Sequence, residues 1–150
     1  MQLEDQPALV ASLISWAELI ANEVQKYGRP LREPEIEIAR RVGVLKFEAI
    51  RLKIGPVHLP QGDEFTYLRE ELGLPYQIAG LSLGYSILLA EEPKESAYIH
   101  LAHELRHTHQ FEGTDGLQAF VVEYLRQLAS GYESAPWEVD ARDSASLLLK

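Results

Sequence analysis

The residues with the clearest chemical potential are His103, Glu104 and His107, which form an HExxH motif. Residues four apart on a helix lie on one face, about one turn from each other. Two imidazoles at that spacing can bind one Zn²⁺, and the glutamate between them can accept a proton from a water on the metal. The motif therefore predicts a zinc site on a helix.

A catalytic zinc site usually has three protein ligands and a water, so a third ligand must come from elsewhere in the chain. No histidine follows position 109, which excludes patterns that rely on a downstream histidine. The candidates are a carboxylate, His58 or His100. Glu138 is favoured, because it falls in the first turn of a helix that begins near Pro136 and can return beside the motif helix. The alternative explanation of Glu138 is the attraction of its charge to the helix dipole.

Three other charged residues near the motif are less favoured as ligands or are expected to have other roles. Glu123 is a weaker candidate for the third ligand, because it lies in the middle of a predicted helix that could face the site. Asp140 points to a different helix face from Glu138 and is expected either beside the ligands or on the surface, with Arg106 as a candidate partner. Arg142 follows Glu138 by four residues, a spacing that favours a surface ion pair between them.

The remaining histidines and one glutamine are also assigned positions. His100 shares a helix face with the motif histidines and is expected in the core or beside the ligands. His109 is expected to point away from His107, and His58 is expected to be exposed in a proline-flanked loop. Gln110 follows His107 by three residues and is expected to support the geometry of that ligand.

Two tyrosines are candidate hydrogen-bond donors to an oxyanion, Tyr124 and Tyr132. The alternative for each is a packed ring whose hydroxyl has a partner. That alternative is favoured for Tyr124. Tyr132 is therefore the second candidate catalytic residue, beside Glu104.

The spacing of apolar residues predicts six helices and two strands. The predicted helices cover residues 7–27, 34–42, 63–72, 96–111, 116–130 and 136–149, and the predicted strands cover residues 47–54 and 78–90. This order predicts one α+β domain over residues 1–150, with a small sheet that contains antiparallel strands between two groups of helices. The motif helix is expected to pack against the C-terminal helix that carries Glu138.

Length and composition limit the class of protein. The chain has 150 residues, enough for one domain with a hydrophobic core. The formal net charge of −9 disfavours nucleic-acid binding. The absence of cysteine excludes disulfides, cysteine zinc sites and thiol nucleophiles, and it fits a cytoplasmic protein. The apolar stretch over residues 8–20 follows acidic residues and is too short and polar for a signal peptide or membrane insertion.

Six stretches of the chain together carry a resemblance to a known family. They cover residues 28–31, 39–44, 79–85, 103–112, 131–132 and 135–142. Their order and spacing are more specific than the HExxH motif alone. The chain resembles a family of largely uncharacterised bacterial zinc metallopeptidases of the glutamate-zincin (gluzincin) kind, related to the DUF4157-type domains.

The resemblance implies a zincin-like minidomain in which the two motif histidines and Glu138 bind zinc and Glu104 is the base. It also implies that the strand over residues 80–89 is the edge strand over the cleft. In better-known glutamate zincins an aspartate often follows the third ligand by four residues. Arg142 stands at that position here, so the carboxylate expected to support the ligands is missing there.

Together these observations predict a zinc-dependent hydrolase, specifically a metallopeptidase in which Glu104 activates a zinc-bound water. The expected substrate is a peptide or protein whose extended backbone pairs with an edge strand within residues 78–89. One alternative is a non-catalytic zinc-binding domain of zincin fold with a regulatory or interaction role, which an open coordination position would contradict. Another is a metal-free helical interaction domain, which a Glu138 far from the histidines would favour.

Overall fold

The computed structural model describes residues 5–72, 78–95 and 98–148. The helices in this part of the chain are α1 (Pro7–Tyr27), α2 (Glu33–Arg41), α3 (Asp63–Leu72), α4 (Tyr98–Glu112), α5 (Leu117–Gln127) and α6 (Pro136–Leu148). The strands are β1 (Arg51–Ile54), β2 (Gly80–Leu83) and β3 (Ser86–Leu89), and short 3-10 helices cover Phe47–Ala49 and Leu128–Ser130. The predicted α+β class is confirmed, and each predicted helix has a counterpart.

Local signals explain where α1 ends and where α2 begins. α1 covers the predicted residues and ends before Gly28, whose N–H donates to the carbonyl of Val24. α2 has Pro34 in its first turn, and Glu35 accepts a hydrogen bond from the Arg32 N–H at 2.7 Å. The predicted stop of α3 at residues 73–75, the predicted start of the motif helix at residue 96 and the predicted end of the last helix at residue 149 lie outside the described residues.

The sheet is mixed and has the order β1-β3-β2. β1 runs parallel to β3, whereas β2 runs antiparallel to it. β3 is the central strand, and Ile87 and Leu89 in it are buried. β2 therefore forms one edge of the sheet within the described residues, and it contacts the motif helix.

The predicted continuous strand over residues 78–90 is wrong, because the chain reverses at Gly84 and Tyr85 to form a hairpin. Gly84 has φ +75°, which glycine adopts without strain at the first position of a two-residue turn. The register places Leu81 opposite Leu88, so odd-numbered residues of the two strands face opposite sides of the sheet. Both faces of β3 are covered, so apolar residues can continue at every second position from β2 into β3. The sequence pattern therefore gives no sign of the turn.

The predicted strand over residues 47–54 is correct only in its second half. Phe47–Ala49 is a 3-10 helix, in which the N–H of Ile50 donates to the carbonyl of Phe47. The Phe47 ring packs against the core and lies 4.9 Å from the guanidinium carbon of Arg40. Tertiary contacts therefore override the strand preference that the alternating pattern indicates.

The main core lies between the sheet, α2, α4 and α6. Leu101, Ala102 and Leu105 of α4 are fully buried there with Ile50 and Ile87. Burial of large aliphatic side chains such as these stabilises each by about 1.5–3 kcal/mol. The core fixes one side of α4 and thereby fixes the direction in which its other side chains point.

α1 closes the opposite side of the sheet and packs along β3 and α5. Ala17, Ala21 and Val24 are buried on the inner face of α1, and small residues let the helix approach the sheet closely. Leu19 on its outer face is 69 % exposed. No helix in the described part of the chain combines the length and apolar composition needed to cross a membrane.

Candidate metal centre

α4 carries the HExxH motif and divides its residues between the core and a cavity. Leu101 and Leu105 face the core, whereas His103, Glu104 and His107 line the cavity. The spacing of four residues places both imidazoles on one side of the helix. Their rings meet edge to face with centroids 4.9 Å apart.

α6 brings the carboxylate of Glu138 against both histidines. Oε1 of Glu138 lies 2.9 Å from Nε2 of His103, and Oε2 lies 3.2 Å from Nε2 of His107. One potential ligand atom from each of the three residues lies within 4.8 Å of the other two. The structure thus brings together the three residues that the sequence predicts as ligands.

Contacts from α5 hold Glu138 in this position. Glu138 lies in the first turn of α6, where the N–H of Trp137 donates to Oε1 of Gln127 at 2.8 Å. The hydroxyl of Tyr124 donates to Oε2 of Glu138 at 2.5 Å. α5 therefore fixes both the backbone of this turn and the carboxylate that it presents.

The donor set fits a zinc ion. Two imidazole nitrogens and a carboxylate oxygen are ligands that Zn²⁺ accepts, with a fourth position for water or substrate. Atoms about 2.1 Å from a tetrahedral ion lie about 3.4 Å from one another. The distances of 2.9 and 3.2 Å from Glu138 to the histidines are slightly shorter, and no two potential ligand atoms are more than 4.8 Å apart, so small side-chain adjustments would admit the ion.

The electrostatics of the triad also suit a cation. Burial alone would raise the pKa of Glu138, but hydrogen bonds with His103 and His107 outweigh it and hold that pKa well below its usual range. Burial alone would lower the pKa of His107, but the hydrogen bond with Glu138 and the charge of Glu104 raise it to about 9. The carboxylates therefore stabilise a positive charge at the position of the imidazole nitrogens, as a metal site requires.

Glu104 is buried beside the triad and lines the same cavity. Burial raises the pKa of its carboxyl group, although the neighbouring His107 and His103 act in the opposite direction. The side chain packs closely against the start of β2, since a Cβ atom added to Gly80 would lie 2.9 Å from Cγ of Glu104. Glycine at position 80 therefore leaves room for Glu104 beside the edge strand.

Gln110 fixes the orientation of the His107 ring, as the sequence predicts. Oε1 of Gln110 lies 2.7 Å from Nδ1 of His107. Nε2 of Gln110 donates to the carbonyl of Trp137 and to Oδ2 of Asp140, both at 2.9 Å. Because both amide protons are used, Oε1 must accept a proton from Nδ1 of His107. Nε2 of His107 is then the nitrogen available to a metal.

Asp140 is held in turn by Arg106, so the predicted ion pair is confirmed. Nε of Arg106 donates to Oδ2 of Asp140 at 2.8 Å, and Nη2 donates to Oδ1 at 3.2 Å. Nη1 of Arg106 also donates to the carbonyl of Val42 at 2.7 Å. Asp140 therefore supplies a supporting carboxylate two residues after Glu138.

Both candidate tyrosines lie at the site. The hydroxyl of Tyr124 has a partner, as expected, and that partner is Glu138. Burial raises the pKa of Tyr124 well above its ordinary value, and the charge of Glu138 adds to this effect. Tyr132 lines the cavity, and burial together with the charges of Glu138 and Glu104 raises its pKa too. Tyr132 therefore keeps its proton as a potential donor.

The other three histidines do not join the centre. His58 is exposed, as predicted. His100 is also exposed, so its predicted place in the core or beside the ligands is wrong. It precedes His103 by one turn and falls on the edge of α4 that faces solvent. Nδ1 of His109 lies 2.9 Å from the carbonyl of Gly43, away from the site as predicted.

Glu123 and Arg142 also lie outside the centre. The carboxylate of Glu123 accepts hydrogen bonds from Arg126 at 2.8 and 2.6 Å, which does not support its use as a third ligand. Arg142 donates to the carbonyl of Glu133 and lies 3.8 Å from its carboxylate. The predicted pair between Arg142 and Glu138 is wrong, because the Glu138 carboxylate faces the buried histidines.

Two contributors to the site were missed by sequence reasoning. The first is Gly80. A glycine at the start of a strand can indicate that another group approaches the backbone closely, and this signal could have predicted the contact with Glu104. The bond between Gln110 and Asp140 spans 30 residues and had no local signal. Long-range hydrogen bonds of this kind depend on how α4 and α6 pack.

Comparisons of the chain with known protein families, with curated proteins and with solved structures found no match. The resemblance to glutamate zincins therefore stays a prediction from the sequence. A function has to be inferred from the chain's own residues and their geometry.

Proposed function

We propose that this chain is a zinc-dependent hydrolase of zincin-like fold, and specifically a metallopeptidase. The observation that carries the proposal is the convergence of His103, His107 and Glu138, whose potential ligand atoms lie within 4.8 Å of one another. Glu104 lies beside them in the same cavity. A structural zinc site would not need a buried carboxylate that is free of the ligand set and faces a cavity.

The residues around the centre suit hydrolysis of an amide bond. Zn²⁺, when bound, lowers the pKa of a water molecule and polarises the carbonyl group of the scissile bond. Glu104 accepts a proton from the attacking water, whose oxygen forms a bond to the carbonyl carbon. Glu104 then delivers that proton to the amine nitrogen as the carbon–nitrogen bond breaks. Tyr132 donates a hydrogen bond to the oxygen that gains negative charge.

The edge of the sheet suits the binding of an extended peptide. β2 pairs with β3 along one side, and its four residues line the cavity that contains Glu104. No other strand of the described residues pairs with the second side of β2. A peptide bound there would gain backbone hydrogen bonds and lie across the metal centre.

The proposal is tested by bound zinc and by hydrolysis of a mixture of quenched fluorescent peptides. The protein is purified without a metal-affinity tag. We expect about one zinc per chain in the wild type and in Glu104→Gln, because the glutamate is outside the ligand set. Turnover by Glu104→Gln is expected to fall at least about 100-fold, the usual effect of removing a general base.

Glu123→Gln is the matched control, since it makes the same chemical change in a residue paired with Arg126 away from the centre. It should keep both zinc and turnover. Turnover retained by Glu104→Gln would contradict the mechanism. Bound zinc without cleavage of any peptide would favour the non-catalytic zinc domain, and wild-type protein that binds no zinc would contradict both.

A further inference from the structure

The metal centre opens into a cavity of about 190 Å³. His103, Glu104, His107 and Glu138 form one side of it. The other walls come from α1, α3, β2 and α5, and most of their side chains are apolar. A water molecule and a metal ion would fill only a small part of this space. The rest lies next to the bond that would be cut.

Aromatic and aliphatic groups dominate the walls. The walls include Trp16, Phe65, Leu81, Phe120, Val121 and Leu125. The Phe120 ring already packs edge to face against Trp137 and Tyr124, with centroids 4.9 and 6.3 Å away. Rings in such a setting gain from edge-to-face contact with a further aromatic ring.

The size of the cavity matches one large side chain. An apolar cavity of about 150 Å³ in a protein interior can take up benzene. A space of about 190 Å³ is therefore large enough for a phenylalanine or leucine side chain.

The lining of the cavity acts against charged occupants. A carboxylate in this space would face Glu104 and Glu138. An ammonium or guanidinium group would lose its water among apolar walls, and this cost opposes its attraction to the two carboxylates. Large apolar groups are the class that gains most from entering.

We propose that the cavity binds one large apolar side chain, best an aromatic one, of a residue that flanks the scissile bond. This proposal rests on the proposed hydrolase function, because it names the substrate class of that site. The substrates are peptides cut beside phenylalanine or leucine. The volume and lining of the cavity carry the proposal.

The test measures binding separately from cleavage. N-acetylated hydroxamates of phenylalanine, glycine and aspartate share one zinc-chelating group and differ only in the side chain. Their affinities for the zinc-loaded protein are measured by calorimetry. We expect the phenylalanine compound to bind at least about tenfold more tightly than the glycine compound, because it buries an apolar ring. The aspartate compound should bind no better than the glycine compound.

Val121→Phe should fill the cavity from α5 and remove most of the preference for phenylalanine. Val122→Phe is the matched control, since Val122 is the next residue and is 43 % exposed. It should keep the preference. Leu13→Trp fills the cavity from α1 and replaces the first variant if Val121→Phe does not fold. Unchanged affinity for the glycine compound shows that the metal centre is intact.

The outcomes separate the two proposals. Equal affinities for the phenylalanine and glycine compounds, or binding of neither by zinc-loaded protein, would overturn the proposed cavity even if peptides are cleaved. A preference for phenylalanine without cleavage of any peptide would support the cavity and overturn the hydrolase. Protein that binds no zinc would overturn both.

Discussion

At the scale of single residues, the position of the Glu104 side chain depends on the residue that it contacts in β2, Gly80. A base must lie within hydrogen-bond reach of the water whose proton it accepts. Here the side chain packs against the backbone of β2 at Gly80. Because Gly80 has no side chain, the proposed base Glu104 can occupy its present position beside the edge strand.

Gly80→Ala should lower kcat by about 10- to 100-fold while zinc stays bound, since displacement of a catalytic group by about 1 Å has effects of this size. The added Cβ would lie 2.9 Å from Cγ of Glu104 and 2.8 Å from Cδ2 of Leu89, so Glu104 must move. Steady-state kinetics and zinc content are the measurements.

The matched control is Gly113→Ala, because the nearest atom to an added Cβ outside the adjacent residues is the carbonyl oxygen of Gln110, at an ordinary 3.5 Å. It should keep the wild-type kcat. Equal rates for Gly80→Ala and the wild type would show that Glu104 does not depend on this contact.

The meeting of the three candidate ligands was predictable from the sequence because the signals for it are local. The spacing of His103 and His107 requires only a helix, and Glu138 follows a proline that begins another. The exposure of His100 could not be predicted from local sequence signals. A helix face is defined by periodicity, but which flank of it meets solvent depends on the packing of other elements.

At the scale of elements, the start of α2 is anchored by a buried ion pair. Glu35 is 2 % exposed and accepts hydrogen bonds from Nη1 and Nη2 of Arg29 at 2.8 and 2.9 Å. Arg29 also pairs with Glu92 at 2.5 Å, and its backbone bridges to Leu52 of β1. This cluster therefore ties α2 to the sheet and to the loop that follows β3.

Glu35→Gln should lower the free energy of unfolding at pH 7 by about 2–3 kcal/mol, because it leaves a partly buried Arg29 without its main partner. Chemical denaturation at pH 7 is the measurement. Glu37→Gln is the matched control. Glu37 forms an exposed pair with Arg41 at 3.1 Å, so its loss should cost less than about 1 kcal/mol.

The same variant should also change the dependence of stability on pH. Burial alone would raise the pKa of Glu35, but hydrogen bonds from Arg29 and the Arg32 backbone lower it below its usual value. Its contribution is therefore complete above an unfolded-state pKa of about 4.3 and is lost as pH falls through the lower folded-state pKa. Wild-type stability should fall more steeply than that of Glu35→Gln in this acidic range. Parallel curves would contradict the role of Glu35.

The sheet shows where elements could not be predicted. The six helices of the described residues followed from apolar spacing and from start and stop signals in the sequence. The hairpin at Gly84 was hidden because the apolar alternation continues through β2 and β3. The short 3-10 helix at Phe47–Ala49 could not be predicted, because it depends on contacts of the Phe47 ring with Arg40 and with the core.

At the scale of the whole molecule, the candidate metal centre joins parts that are far apart in the chain. His103 on α4 and Glu138 on α6 are separated by 35 residues and meet at 2.9 Å. α5 lies between them in sequence and supplies Tyr124 to the same carboxylate. A metal bound there would therefore stabilise the packing of three helices.

Zinc should raise the melting temperature of the wild-type protein. A ligand at about 100 times its Kd stabilises the folded state by about 2.7 kcal/mol, which for this size corresponds to about 5–10 °C. Differential scanning calorimetry with and without zinc, after removal of metal by a chelator, measures the shift. Glu138→Gln should show little shift, whereas Glu123→Gln should match the wild type. An equal shift in Glu138→Gln would place the zinc elsewhere.

The separation of the ligands also sets an order of events during synthesis. A nascent chain that has emerged as far as α4 carries two imidazoles but lacks the carboxylate, which follows 35 residues after His103. Under the proposed function, high-affinity metal uptake must wait until α5 and α6 have been made and have docked. Acquisition of zinc would then mark completed folding, and the hydrolase would stay inactive on the ribosome until that point.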